Sequence, residues 1–111
     1  MTYKRWDVVR VTFPYLEGHD AKKRPALIVS TEALSANYRV LWAMMITTAK
    51  GGKLPEDISI KDPLSVGLPE ECVIRPSRLF TVSAELMDRR LGAIKQQERV
   101  AVSAFLKKHI P

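Results

Sequence analysis

The sequence predicts a mainly β (α+β) fold: a small β-barrel with a short helix and a C-terminal helix. Three observations lead there. Apolar residues fall in short runs of strand length, and turn residues recur closely at Pro14, Gly18, Gly51-Gly52, Pro55, Pro63 and Gly67-Leu68-Pro69. Helical signals gather only after residue 82. Five or so short strands joined by tight turns suit a small barrel or closed sheet, and 111 residues suit one compact domain, 1–111.

The first strand is Val8-Val9-Arg10-Val11-Thr12-Phe13, which alternates. Val9, Val11 and Phe13 share one face, Arg10 and Thr12 the other, and Pro14 ends it. Ala26 to Ser30 and Val40 to Thr47 are near-continuous apolar runs, as expected of strands buried on both sides; Trp42, inside the second run, reads as core. Asp57-Ile58-Ser59-Ile60 alternates again, and Cys72-Val73-Ile74-Arg75 is a further strand ahead of Arg78-Leu79-Phe80-Thr81. Ser83 reads as the N-cap of a short helix, Ala84 to Arg90, with Glu85 in its first turn and Arg89 and Arg90 in its last. The final helix, Gln96 to His109, gathers Ala101, Val102, Phe105 and Leu106 on one side, by which it docks on the barrel.

Charge and cysteine usage narrow the function. Eighteen Lys and Arg against twelve Asp and Glu give a net +6, so the partners expected are polyanions or an acidic protein. The excess lies in the first half: residues 1 to 53 carry +5, the remainder +1. The single Cys72 allows no intrachain disulfide and there is no zinc-type Cys/His spacing, so a cytoplasmic protein without a metal or other cofactor is expected. The N-terminal residues lack an apolar signal core, and the longest apolar run, Val40 to Ile46, is far too short to span a bilayer. There is no Gly-Lys-Ser/Thr phosphate loop, no Gly-x-Ser-x-Gly elbow, no His-Glu-x-x-His and no acidic cluster fit for Mg²⁺, which argues against nucleotide and metal-assisted hydrolysis.

What remains is a set of basic and hydroxyl residues at strand ends. Arg24 follows Lys22 and Lys23 and precedes Pro25, which holds it extended where loop meets strand. An anchored guanidinium presents two parallel donors to a phosphate and loses less entropy than a mobile lysine. Thr47 and Thr48 close the most apolar strand, and Arg75 ends another, again before a proline, Pro76. Each also has an ordinary reading, as a solvated basic loop or as β-branched residues closing a strand. Convergence of Arg24, Thr47 and Arg75 at one rim would suit a phosphodiester. His19 is the one loop histidine near this set, able to hold or move a proton near neutral pH, though a lone loop histidine is more often inert. Tyr15 in the first loop is the better candidate for stacking on a base.

At these residues the sequence resembles the MazF/PemK family, the toxin half of type II toxin–antitoxin pairs, in its PemK-like branch. Trp6-Asp7-Val8-Val9-Arg10-Val11-Thr12-Phe13-Pro14 resembles the family's opening strand and Phe-Pro turn, with Trp6 where Gly is usual. Lys23-Arg24-Pro25-Ala26-Leu27-Ile28-Val29-Ser30 resembles its Arg-Pro-Ala/Val-Leu-Val-Val motif, and Ile46-Thr47-Thr48 its strand end. Val73-Ile74-Arg75-Pro76-Ser77-Arg78-Leu79-Phe80-Thr81 and Arg89-Arg90-Leu91-Gly92 follow the PemK-like branch.

The resemblance implies an SH3-like barrel, a homodimer, and a metal-independent endoribonuclease that cuts single-stranded RNA and is neutralised by an acidic cognate antitoxin. It implies catalytic roles for Arg24, Thr47 and Arg75, with His19, Lys22, Lys23, Thr48, Ser77 and Tyr15 as candidates for contacting RNA. Ser77 departs from the pattern: parts of the branch carry Asp there, and a serine is no carboxylate base. That departure motivates a rival, a non-catalytic basic barrel that holds RNA or an acidic protein. A gyrase-inhibiting toxin is a weaker rival, since Lys107-Lys108-His109-Ile110-Pro111 has no aromatic tail.

Overall fold

The computed structural model describes residues 2–13 and 22–110. Strands β1 (Asp7–Phe13), β2 (Lys22–Ile28), β3 (Val40–Thr48), β4 (Ile58–Ser59), β5 (Cys72–Ser83) and β6 (Met87–Ala93) form one antiparallel sheet in the order β4-β5-β3-β2-β1-β6. Helix α1 (Glu32–Tyr38) joins β2 to β3, and α2 (Gln96–His109) follows β6. Among the described residues no ladder joins the edge strands β4 and β6. The expected barrel is therefore a sheet left open at those edges.

Alternation of side chains gives the sheet two apolar faces. Val8, Leu27, Met44, Ile46 and Ile74 point to one, where Val102 of α2 is buried among them and Phe105 and Leu106 pack alongside. Val9, Val11, Ala26, Ile28, Leu41, Ala43 and Val82 point to the other, where Phe13, Phe80 and Met87 flank them. This is why β2 and β3 carry unbroken apolar runs: both of their faces are covered. Complete burial of Val102 contributes about 1.5–3 kcal/mol towards docking α2, whose bounds agree with the sequence reading.

Two expectations are corrected. The segment 84–90 is not a helix. Ser83 Oγ does accept from the Glu85 N–H (3.4 Å), but the 3-10 turn lasts only Ala84–Leu86 before β6 begins. From Met87 onward the chain instead pairs with β1 and half-buries Met87 and Leu91, whereas a two-turn helix there would have presented mostly charged residues. The short helix is α1, with no buried residue and hence no apolar stripe to betray it; Arg39 ends it in the left-handed conformation (φ 57°). Trp42 is not core either. It is 48% exposed, because it sits at the margin of the α2-covered face, beside Leu106, Lys107 and Ile110, where the helix is ending.

Prolines shape the sheet where the site lies. Pairing between β3 and β5 steps from Met44–Leu79 to Met45–Arg75, so Pro76, Ser77 and Arg78 bulge out of β5. Proline has no N–H for a ladder and is tolerated within a sheet at such a bulge. Pro25 similarly lies just beyond the last β2–β3 rung, Ala26–Met45.

Candidate functional site

Beyond the Ala26–Met45 rung the ladder between β2 and β3 ends. A cavity of about 320 Å³ opens there, walled by Phe13, Arg24, Pro25, Met45, Ile46, Thr47 and Phe80. Arg24 and Thr47 thus meet at one cavity, each two residues past the rung on its own strand. Phe13 and Phe80 form an aromatic wall, their ring centroids 5.6 Å apart. Arg24 is exposed, and no carboxylate is ion-paired to it among the described residues. Among those residues nothing competes with an anion for its charge.

Arg75 lies one strand further along. It is the cross-strand partner of the cavity residue Met45, and directly opposed residues project to the same side of a sheet. Its guanidinium is held by Asp57: Nη2 donates to Oδ2 at 2.9 Å, and Nε lies 3.2 Å and 3.3 Å from Oδ2 and Oδ1. Nη2 also reaches the Gly52 carbonyl (3.3 Å), and Asp57 Oδ2 accepts from the Leu54 N–H (2.8 Å). The Asp57 side chain is 1% exposed and that of Arg75 18%. Burial on its own would raise the Asp57 carboxyl, but the hydrogen bonds from Arg75 and Leu54 and the charges of Arg75 and Lys53 outweigh it and hold the group below its usual range.

The accompanying residues are distributed differently. Lys22 is exposed at the start of β2, on the Arg24 side by alternation. Lys23 projects to the other side and pairs with Asp88 at 3.3 Å; Asp88 also binds Arg10 at 2.7 Å. These hydrogen bonds, Arg10 first and Lys23 second, lower the Asp88 carboxyl. Thr48, opposite Cys72, faces away from Thr47, and Ser77 is exposed in the β5 bulge. Tyr15 and His19 fall outside the described residues. Among the described residues no three His, Cys, Asp or Glu side chains cluster as metal ligands, and no helix is long and apolar enough to cross a membrane.

Sequence reasoning missed Asp57. It precedes Arg75 by 18 residues and meets it only because Ile58 of β4 pairs with Ile74 of β5. The alternation of Asp57-Ile58-Ser59-Ile60 was the one available signal, and it marks a strand without marking its neighbour.

Solved structures with the same architecture include a MazE–MazF complex from Deinococcus radiodurans (TM-score 0.78, 18% identity, 97% of this chain and 95% of that one). An endoribonuclease in complex with its cognate antitoxin from a mycobacterial species matches with TM-score 0.73 and 19% identity, over 96% of this chain and 91% of that one. The Mycobacterium tuberculosis toxin MazF-mt6 matches with TM-score 0.73 and 17% identity, over 92% and 93%. At such identities the likeness is one of fold. A comparison with curated proteins gives no significant match. Residues 4–110 match the family of PemK-like, MazF-like toxins of type II toxin–antitoxin systems, and the chain, with its open six-stranded sheet and its Arg24–Thr47 cavity, belongs to that family.

Proposed function

We propose that this toxin-family chain is an endoribonuclease that cleaves single-stranded RNA without a metal ion, works as a homodimer in the cytoplasm, and is neutralised by an acidic cognate antitoxin. The observation that carries the reading is the meeting of Arg24 and Thr47 at one cavity, with Arg75 on the same side of the next strand. The net charge of +6 suits both an RNA and an acidic antitoxin. Similar folds solved as an endoribonuclease and as MazE–MazF complexes support it further.

The reaction is an in-line transesterification. A ribose 2′-hydroxyl gives up its proton to water as its oxygen bonds to the adjacent phosphorus, while the bond to the 5′-oxygen breaks and that oxygen takes up a proton. The products are a 2′,3′-cyclic phosphate and a free 5′-hydroxyl. The described wall carries a cation and a hydroxyl and no carboxylate, so its work is charge stabilisation and positioning. Arg24 offsets the negative charge growing on the phosphoryl oxygens, Thr47 orients the phosphate, and Arg75 stabilises the same charge or assists the leaving 5′-oxygen. Phe13 and Phe80 offer a flanking base an aromatic surface. Lys22, Thr48, Ser77, Tyr15 and His19 remain candidate RNA contacts; Lys23 is one whose charge is already shared with Asp88. DNA should resist, because it lacks the nucleophile.

The test is incubation of the purified protein with mixed-sequence single-stranded RNA in EDTA, with Arg24→Ala and a DNA of matching sequence as controls. Cuts in RNA alone, with 5′-hydroxyl ends and lost in the variant, are expected. Stable RNA binding without product would favour the non-catalytic module instead. Sedimentation at micromolar concentration tests the dimer.

A further inference from the structure

We propose that Asp57 is a positioning residue for the reaction: it fixes the guanidinium of Arg75 so that Nη1 faces the RNA phosphate. This rests on the endoribonuclease reading above. The Arg75 guanidinium has five N–H groups in a rigid plane. Nε–H and one N–H of Nη2 are taken by the Asp57 carboxylate, and Nη2 also reaches the Gly52 carbonyl. Nη1 bonds nothing among the described residues, so its two N–H groups are the ones left for a ligand. An arginine on a flexible four-bond stem would otherwise sample many orientations; a two-point carboxylate clamp selects one before RNA arrives.

The clamp is itself fixed. The Leu54 N–H donates to Asp57 Oδ2 at 2.8 Å, and the Asp57 side chain is almost wholly buried. The neighbouring Glu56, in the left-handed conformation (φ 69°), is tied to the end of α2 through His109 Nε2 (3.0 Å) and Lys108 Nζ (3.4 Å). The loop that carries Asp57 is thereby held between the sheet and α2. Asp57 itself is poorly suited to act as the general base: it is engaged by Arg75 through both oxygens and sits below the usual carboxylate range. The carboxylate beside Arg75 comes from the β4 side of the sheet.

Positioning makes an expectation that a purely structural ion pair does not. Asp57→Asn removes a competing negative charge, so binding of an RNA with a 2′-deoxy sugar at the cut should hold or tighten. The cleavage rate should nevertheless fall. We expect kcat to drop on the order of 10- to 100-fold with KM little changed, a split that marks loss of a transition-state interaction. In an Arg75→Ala background the same substitution should lower kcat no further, because Asp57 acts only through Arg75. The wild-type protein provides a readout independent of any variant's folding. The Arg75 Nε–H resonance should exchange with water far more slowly than those of exposed arginines.

Wild-type protein that cuts no RNA overturns the endoribonuclease reading and this role with it. Cutting in which folded Asp57→Asn keeps full kcat, or lowers kcat equally with and without Arg75, overturns the role of Asp57 alone. So does an Arg75 Nε–H that exchanges as fast as an exposed one.

Discussion

Arg24 and Thr47 stand on neighbouring antiparallel strands, each two residues beyond the Ala26–Met45 rung, and border the cavity that opens where the ladder ends. Removing either should affect the chemistry more than the fold, since Arg24 is exposed and Thr47 only half-buried. Arg24→Ala is expected to lower RNA cleavage by about 10²–10³-fold, the usual cost of one donor to a developing oxyanion. Arg24→Lys should restore little, because an ammonium cannot supply two parallel donors. Cleavage kinetics beside thermal unfolding check this: an active Arg24→Ala protein of normal stability would remove Arg24 from the mechanism.

The lysines before Arg24 should behave differently from one another. Lys22 is on the cavity side of β2 with no ion pair among the described residues, while Lys23 is turned away and paired with Asp88. Lys22→Ala should therefore weaken RNA binding and flatten its salt dependence by about one unit of log–log slope. Lys23→Ala should do less on both counts. Filter binding across a salt series distinguishes them, and equal effects would contradict the assignment of sides.

Much of this architecture was legible because it follows from local periodicity. The alternation of Val9, Val11 and Phe13, the doubly buried runs of β2 and β3, and the apolar side of α2 each depend on neighbours in sequence. The errors arose where long-range pairing decided the outcome. Ala84 to Arg90 has helix-compatible ends, yet from Met87 onward pairing with β1 makes the chain a strand. Trp42 is as apolar as its neighbours, and only the reach of α2 leaves it uncovered. The same applies to the site. Arg24 and Arg75 could be singled out by the prolines that follow them, but Asp57 is joined to Arg75 by a two-residue strand whose partner no local pattern specifies.

Acid should destabilise the fold in a defined direction. Asp57, Asp88 and Glu56 all have carboxyls held below their ordinary values in the folded protein. The unfolded chain therefore binds more protons in acid, so stability rises with pH through that range. The contribution of these groups is complete above their unfolded values, about 4 to 4.5, and is lost as pH falls through the lower folded ones. Urea unfolding should give a near-constant stability from about pH 7 to 5 and a fall below about pH 4. Asp57→Asn should make that fall shallower while lowering stability at pH 7 by about 1–3 kcal/mol through the weakened Arg75 pair. An unchanged acid slope in this variant would show that Asp57 does not contribute to it.

Gly92 tests the packing of β6 against the Pro63–Val66 turn between β4 and β5. It pairs with Val8 of β1, and a Cβ there would lie 2.9 Å from the Ser65 carbonyl oxygen, 3.0 Å from Val66 Cα and 3.1 Å from Val66 Cγ1. The first two are backbone atoms of a 3-10 turn, Pro63–Val66, which Val66 anchors in the core, so no side-chain rotation relieves the contact. Either the turn or β6 must shift. A shift of β6 disturbs its ladder with β1, in which the adjacent Arg90 binds buried Asp7 (2.9 Å). Overpacking of this kind costs about 1–3 kcal/mol, so Gly92→Ala should lower the unfolding midpoint with little change in the slope against denaturant. The Arg24–Thr47 cavity lies elsewhere on the sheet, so cleavage by the fraction still folded should be normal. A variant as stable as wild type would mean that the turn is free to move away from β6.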